Sequence, residues 1–306
     1  MLHTRLSREQ GAPALTAAAI ECVDRGEHTL SVRVLGLGDL AAATRIAQRD
    51  PIANVFVLSR LEVMSRGGAR ACGELWGHQI GGELRGLCFL GANVVPVEAD
   101  EAALTAFGER AARLPRRCSS IVGRSDQVMR LWDRLEPSWG PAREVRPRQP
   151  LLVLDRGAAQ VRPDPLVRRA EPDDLAALLP ACIAMFTEEV GVSPLNLDGG
   201  AMYRARVREL VAAGRAFVRV EDGEVIFKAE VGTAINEVCQ IQGVWVNPRL
   251  RGRGLAAAGM AAVAELAWRH VAPVVSLYVN DYNLAARAVY RRVGFRQVGT
   301  FGSILF

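Results

Sequence analysis

Apolar positions recur along this chain in two rhythms, period two and period near 3.6, and the same succession of rhythms occurs twice. The stretch "VRVLGLGDLAA" begins at Val32 and "VRRAEPDDLAA" at Val167, and both place Asp-Leu-Ala-Ala at the same later offset, at Asp39 and Asp174. Each predicts a short strand, an aspartate cap and an alanine–leucine helix. Further on, "ELWGHQIGGELRGLCFL" and "AFVRVEDGEVIFKAEV" are each two strand-like runs around a Gly-Glu turn, at Gly82-Glu83 and Gly223-Glu224, which predicts a hairpin in each half. Helical stretches follow from Asp100 and Leu255, and each half then adds a strand and a last helix, "SSIVGRSDQVMRLWDRLE" and "VVSLYVNDYNLAARAVYRRV". The Pro- and Arg-rich run "RGAAQVRPDPLVRR" falls where a linker belongs. The expected organisation is an extension over residues 1–30, an α/β domain over 31–155, a linker over 156–164 and a second α/β domain over 165–306.

Composition narrows the class. The chain has 306 residues, half of them hydrophobic, enough for two ordinary domains with their own cores. Its longest apolar runs, such as "LAAAGMAAVAELA", are too short and too alanine-rich to span a bilayer. The first 30 residues carry one short apolar patch with an acid soon after it, which reads as a poorly ordered extension and not as a signal peptide. The six cysteines are scattered, without a C-x-x-C pair or zinc spacing, so reduced, mostly buried thiols, no metal and a cytoplasmic location are expected. Net charge is +5, and Lys228 is the single lysine among 38 cationic residues. Arginine spread this evenly, without interleaved aromatics, does not make nucleic-acid binding the primary role.

The second half holds the informative segment. "CQIQGVWVNP" reads as a strand, with Ile241, Val244 and Val246 among polar residues; Gly243 breaks the alternation as a bulge or a close backbone approach does, and Pro248 stops it. Arg249-Leu250-Arg251-Gly252-Arg253-Gly254 follows, and a long helix begins at Leu255 with Ala256, Ala257, Ala258 and Gly259 in its first turns. A helix start offers unpaired N–H groups and the positive end of a dipole. Glycine lets backbone amides approach an anion, small residues leave room beside it, and Arg251 and Arg253 add charge. The same letters also suit a plain strand-to-helix turn. The lysine–serine/threonine ending of a nucleotide P-loop and the G-x-G-x-x-G of dinucleotide folds are both absent from the loop.

"Arg251-Gly252-Arg253-Gly254-Leu255-Ala256" resembles the Arg/Gln-x-x-Gly-x-Gly/Ala signature of the GCN5-related N-acetyltransferases (GNAT), and "GVWVNP" resembles their fourth strand. A second motif, "LYVNDYNLAARAVYRRVGF", is similar to their fifth strand, Asn-containing loop and helix ending in Tyr-x-x-x-Gly-Phe. The resemblance covers residues 165 to 306 and implies an acetyl-CoA site. In it, the amides from Arg251 to Leu255, with Ala256 and Ala257 behind them, hold the pyrophosphate. The backbone of Val244, Trp245 and Val246 holds the pantetheine arm and polarises the thioester carbonyl, and Asn283 contacts the same arm. Tyr290 is the implied general acid to the leaving thiolate, a role its neutral O–H suits. Asn283 also fits as a helix cap, and Tyr290 as a core aromatic.

The first half departs from this pattern. Its counterpart loop, "GANVVPVEADEAAL", lacks a glycine pair and an arginine, and Glu98, Asp100 and Glu101 would repel a pyrophosphate. The expected fold is thus α/β with mixed sheets, two tandem GNAT-like domains of which the first is degenerate and serves as scaffold and acceptor wall. The resemblance implies direct transfer of an acetyl group to a primary amine in a ternary complex. Glu237 or Glu230 is a candidate base, and Glu188 and Glu189 are candidates to attract a cationic amine. The lone Lys228 either lines the acceptor pocket or pairs with an acid. A small amine and a protein or peptide amine are both open as acceptors, with no membrane partner. Oligomeric state is open, homodimer included. The alternative reading is a non-catalytic acyl-CoA sensor on the same fold.

Overall fold

A computed structural model describes residues 31–67, 73–196 and 198–306. The expected extension over 1–30, together with Cys22 and Cys72, lies outside the described residues.

The first half runs β1 (Ser31–Val34), α1 (Leu40–Ala47), α2 (Val55–Ser65), β2 (Glu74–Ile80), β3 (Glu83–Leu90), β4 (Asn93–Val97), α3 (Glu101–Ala112), β5 (Ser120–Arg124), α4 (Ser125–Trp139) and β6 (Glu144–Asp155). The second half runs β7 (Arg168–Arg169), α5 (Leu175–Val190), α6 (Ala201–Ala212), β8 (Ala216–Glu221), β9 (Glu224–Ala234), β10 (Val238–Val246), α7 (Leu255–His270), β11 (Val274–Tyr278), α8 (Leu284–Val293) and β12 (Arg296–Leu305).

The repeat extends to single contacts. Arg33 pairs with Asp39 through two bonds of 2.8 and 2.6 Å, and Arg168 pairs with Asp174 through bonds of 2.6 and 2.8 Å. Both aspartates also accept a backbone N–H three residues upstream, from Gly36 at 2.8 Å and Glu171 at 2.7 Å. This corrects the expected cap: each carboxylate sits at the helix start but turns back to the preceding strand, because a bidentate arginine outcompetes a single helix amide. The two hairpins close with two-residue turns of positive φ, Gly81–Gly82 (57° and 82°) and Asp222–Gly223 (49° and 76°). That conformation matches the strand twist of a tight hairpin.

The strands form one 12-stranded sheet in the order β1-β2-β3-β4-β5-β12-β6-β11-β10-β9-β8-β7. The last strand of each half is therefore exchanged. β12 lies between β5 and β6, and β6 lies between β12 and β11. Leu151, Val153 and Leu154, all buried, carry β6 through the join. The linker is fastened to the second half: Gln160 N–H donates to Val293 O at 2.8 Å and Asp164 N–H to Ala258 O at 3.0 Å, while Arg219 holds the Asp164 carboxylate at 2.7 Å. The largest buried cluster packs β9, β10 and β11 against α7 and α8. There a Cβ on Gly259 would lie 2.8 Å from the Phe227 ring, so helix and sheet meet at glycine distance. Cys88, Cys118, Cys182 and Cys239 are free and buried.

Candidate functional site

The site is built where β10 leaves β11. The two strands pair in parallel only from Val238–Val274 to Gln240–Ser276, and β10 then continues six residues along β9 alone. Gly243 and Val244 together oppose Ala229, a bulge made with Gly243 at φ 60°. A Cβ on Gly243 would lie 3.1 Å from Glu230 Cδ and from Met185 Cε, and 3.2 Å from Lys228 Nζ. Beyond the bulge, Asn247 N–H donates to Ile226 O on β9 at 3.0 Å, while Val246 O accepts from Arg251 Nε at 3.1 Å. Backbone groups alternate sides along a strand, so the N–H of Val246 also faces away from β9, into the opening.

After β10, the Asn247 side chain accepts from Arg249 N–H at 3.2 Å and closes a turn over Pro248–Leu250. Gly252 and Gly254 follow at φ 79° and 81°, and an added Cβ on either meets nothing within 4 Å. Gly254 sits at the N-cap of α7 with no side chain to satisfy its first amides. The donors from Gly252 to Ala256 thus open onto free space beside the splayed strand, with Ala256 half-buried and Ala257 buried behind them. Arg253 is exposed. Arg251 is held at 2.7 Å by Glu188, whose other oxygen accepts from Trp245 Nε1 at 3.4 Å. Glu188 therefore braces the loop against β10.

Asn283 caps α8, its Oδ1 accepting from Ala286 N–H at 3.1 Å, which leaves its NH₂ exposed. Tyr290, one helix face further on, is buried and meets Phe295 edge-on with centroids 5.7 Å apart. Burial first, then the negative charge of Glu189, pushes its phenol well above the ordinary range, so it stays protonated.

On the near side of the cleft, Lys228 is 1% exposed; its Nζ lies 3.1 Å from Glu230 Oε2 and 3.3 Å from Cys182 Sγ. Burial opposes its charge, but the pull of Glu230 and Cys182 outweighs it and the ammonium is retained. The other Glu230 oxygen accepts from Gln242 at 2.8 Å. Glu189, at the end of α5, is reached by solvent yet hemmed in by protein, the situation of a side chain on a concave wall. This crowding raises its carboxyl pKa, against the pull of Arg146 and Lys228 and with the repulsion of Glu230. Its charge is felt by Tyr290, Tyr278 and Tyr203 alike, and Tyr278 is pushed up to about 12, by burial first.

Most sequence-predicted residues thus converge: Val244, Trp245, Val246, the loop from Arg251 to Ala257, Tyr290, Glu189, Lys228 and Glu230. Glu237 stands apart. It is exposed in the β9–β10 turn, six residues from Gly243 along β10, or roughly 20 Å at strand rise. Cys182, Met185, Arg146, Gln242 and Tyr278 escaped the sequence reading, since an apolar helix face and a polar–apolar alternation look the same whether or not a cleft lies over them. Among the described residues, no group of three His, Cys, Asp or Glu side chains is arranged to hold a metal, and no helix is long and apolar enough to cross a membrane.

Residues 185–295 match the Acetyltransferase (GNAT) family, and residues 73–178 match a domain of unknown function, DUF4081. No curated protein matches the chain. Among solved structures, a GNAT-family acetyltransferase from Colwellia psychrerythraea is 11% identical over 90% of this chain and 99% of its own, with a TM-score of 0.57. A GCN5-related N-acetyltransferase from Sphaerobacter thermophilus is 17% identical over 90% of this chain and 95% of its own, with a TM-score of 0.58. A tandem GNAT protein from the clavulanic acid biosynthesis pathway is 15% identical over 90% of this chain and 98% of its own, with a TM-score of 0.53. At such identities the likeness is one of fold. The splayed strand, the glycine-capped helix start and the stretch that matches the Acetyltransferase (GNAT) family thus coincide in residues 185–295, in a fold similar to that of a tandem GNAT protein.

Proposed function

We propose that the protein is an acetyl-CoA-dependent N-acetyltransferase acting by direct transfer to a primary amine. The observation that carries this reading is the set of unpaired amides from Gly252 to Ala256, open to space at the start of α7 and adjoining the unpaired edge of β10. The residues present fit acetyl-CoA. The helix start and Arg253 suit a pyrophosphate. The backbone of Val244, Trp245 and Val246 suits a pantetheine amide chain, and the Asn283 NH₂ adds a donor to it. When bound, the co-substrate supplies an activated thioester.

The protein's own groups do the rest. The Val246 N–H donates to the carbonyl oxygen as negative charge gathers there. Glu189 takes the proton from the incoming ammonium, directly or through one water; its raised pKa brings it nearer the amine's than an ordinary carboxylate. Tyr290 gives its proton to the departing thiolate and regains one from the attacking nitrogen, which sheds it as the amide forms, so that an amine and a thioester leave as an amide and a thiol. Glu230, neutralised by Lys228, shapes the wall and lends its field to Glu189. Glu237 lies too far along the strand to serve as base. The deciding experiment is calorimetric titration of acetyl-CoA, with ATP as comparator, followed by thiol release on adding amines. One acetyl-CoA site plus amine-dependent thiol release is expected; a protein that does not bind acetyl-CoA, or binds it no better than ATP, refutes the reading.

A further inference from the structure

Between the halves lies a cavity of about 440 Å³ that the chemistry above does not use. Its floor is the sheet where β10 and β11 part, reached by Gln240, Gln242 and Tyr278; its far wall is Phe56 and Arg60 of α2, with Asn93 of β4. The first half is thus seated over the second, and Ser59 Oγ lies 2.8 Å from Thr233 Oγ1 across the join.

The two ends of this space differ in chemistry. The end at Gln242 adjoins Glu230, whose carboxylate accepts from the Gln242 amide at 2.8 Å, so an acid stands behind it. The other end presents donors. Arg60 is half-buried, its guanidinium 4.9 Å from the Phe56 ring centroid, and among the described residues no carboxylate pairs with it. The Asn93 oxygen is taken by Ser120 at 2.8 Å, which leaves its NH₂. The Gln240 amide nitrogen is sealed from solvent and, among the described residues, has no acceptor. The one acid on this wall, Glu209, lies 3.3 Å from Arg206, whose guanidinium also donates to Gly232 O at 3.0 Å. A half-buried arginine with unspent amide donors around it is an arrangement for a carboxylate.

We propose that the acceptor is an amine that also carries a carboxylate, held with its amine toward Gln242 and Glu230 and its carboxylate at Arg60, in the cavity between the halves. This rests on the acetyltransferase reading. Gln240 and Gln242 stand two residues apart, roughly 7 Å along the strand. An acceptor whose amine lies at Gln242 and whose carboxylate lies toward Gln240 and Arg60 has its charges separated as in a dipeptide or an ω-amino acid, and more widely than in an α-amino acid.

The test is calorimetric titration of the whole chain with 6-aminohexanoate and with 6-aminohexanamide, in the native protein, in Arg60→Gln and in Arg60→Lys. The carboxylate probe is expected to bind ten-fold or more tighter than the amide, with the preference gone in Arg60→Gln and partly kept in Arg60→Lys, as for loss of one charged hydrogen bond. Thermal unfolding of each variant separates loss of the site from loss of the fold. Equal or absent binding of the two probes, or a preference that survives Arg60→Gln in folded protein, overturns the proposal. Acetyl-CoA is titrated into the same preparations. Its binding without a carboxylate preference sinks this inference alone. A carboxylate preference without acetyl-CoA binding sinks the transferase reading and leaves an anion site between the halves.

Discussion

The starts of α3 and α7 hold corresponding places in the two halves. Each follows a strand that pairs in parallel with its neighbour for only two or three residues, Asn93–Val94 in one case and Val238–Gln240 in the other. At α3 the chain turns within three residues, and Asp100 caps the helix by accepting from Ala103 N–H at 2.8 Å. Glu98 stands beside it at φ 50°, its carboxylate accepting from Asn54 at 3.2 Å. At α7 the loop is longer and ends in a glycine cap with no side chain. One helix start carries its own anion; the other leaves the same donors open. The splay and the helix are common to both halves, so it is the loop between them that separates a site from a scaffold, consistent with function residing in the site and not in the fold.

The largest effect follows from moving that difference. Gly254→Glu puts a carboxylate on the α7 start, as Asp100 does on α3, and acetyl-CoA affinity falls about 100-fold or more, since like charges brought together cost several kcal/mol; calorimetry reads it. Tyr290→Phe lowers kcat about 100-fold while acetyl-CoA still binds, because only a proton donor is lost; unchanged turnover with retained binding would mark a sensor in place of an enzyme.

Gly243→Val tests the bulge that has no counterpart in β4. A branched side chain at φ 60°, 3.1 Å from Met185 and Glu230, costs about 2 kcal/mol, read by denaturant unfolding. Glu189→Gln acts on pH dependence. The native pKa is raised, so activity climbs with pH above the usual carboxylate range and the acid limb disappears in the variant. The sign for stability is opposite: a raised carboxyl pKa favours unfolding once ionised, so Glu189→Gln is slightly more stable at neutral pH.

The smallest effect tests the equivalence of the halves. Asp39→Asn and Asp174→Asn each lose under about 1 kcal/mol, and by similar amounts, because both pairs are partly exposed. Asp39 is held down to about 2, first by its bond to Arg33, so its stabilisation is complete above the unfolded value of 3.8 and fades as pH falls toward 2. Unfolding midpoints of the variants and the native protein should converge over that window.

Much of this was legible in the letters, and for local reasons. Val-Arg followed by Asp-Leu-Ala-Ala marks both halves because strand, turn and helix start are set by neighbours within a few residues. Gly252, Gly254 and the alanines after them announce an open helix start, since only backbone chemistry is involved, and Asn283 fits its cap for the same reason. What was not legible depends on partners far apart in sequence. The strand exchange joins Leu151 to Tyr278 and Phe301 to Arg124, and nothing in the pattern of "PLLVLD" or "GTFGSILF" names the neighbour of a buried strand. The Lys228 partners, Glu230 two residues away and Cys182 on another helix, divide the same way: the first is reachable by strand alternation and the second by packing alone.

The sequence by itself determined the repeat, the strand–helix start and hairpin of each half and the side-chain-free helix start at Gly252–Gly254, because those follow from periodicity, capping and steric freedom along the chain. Tertiary structure alone decided that Glu189 lies where burial and neighbouring charges raise its pKa, that Glu188 braces Arg251, and that Arg60 and Gln240, from the two halves, line one cavity. Burial and charge proximity belong to the assembled sheet, where one carboxylate is crowded into a raised pKa and another, a few strand residues from the bulge, is left in solvent.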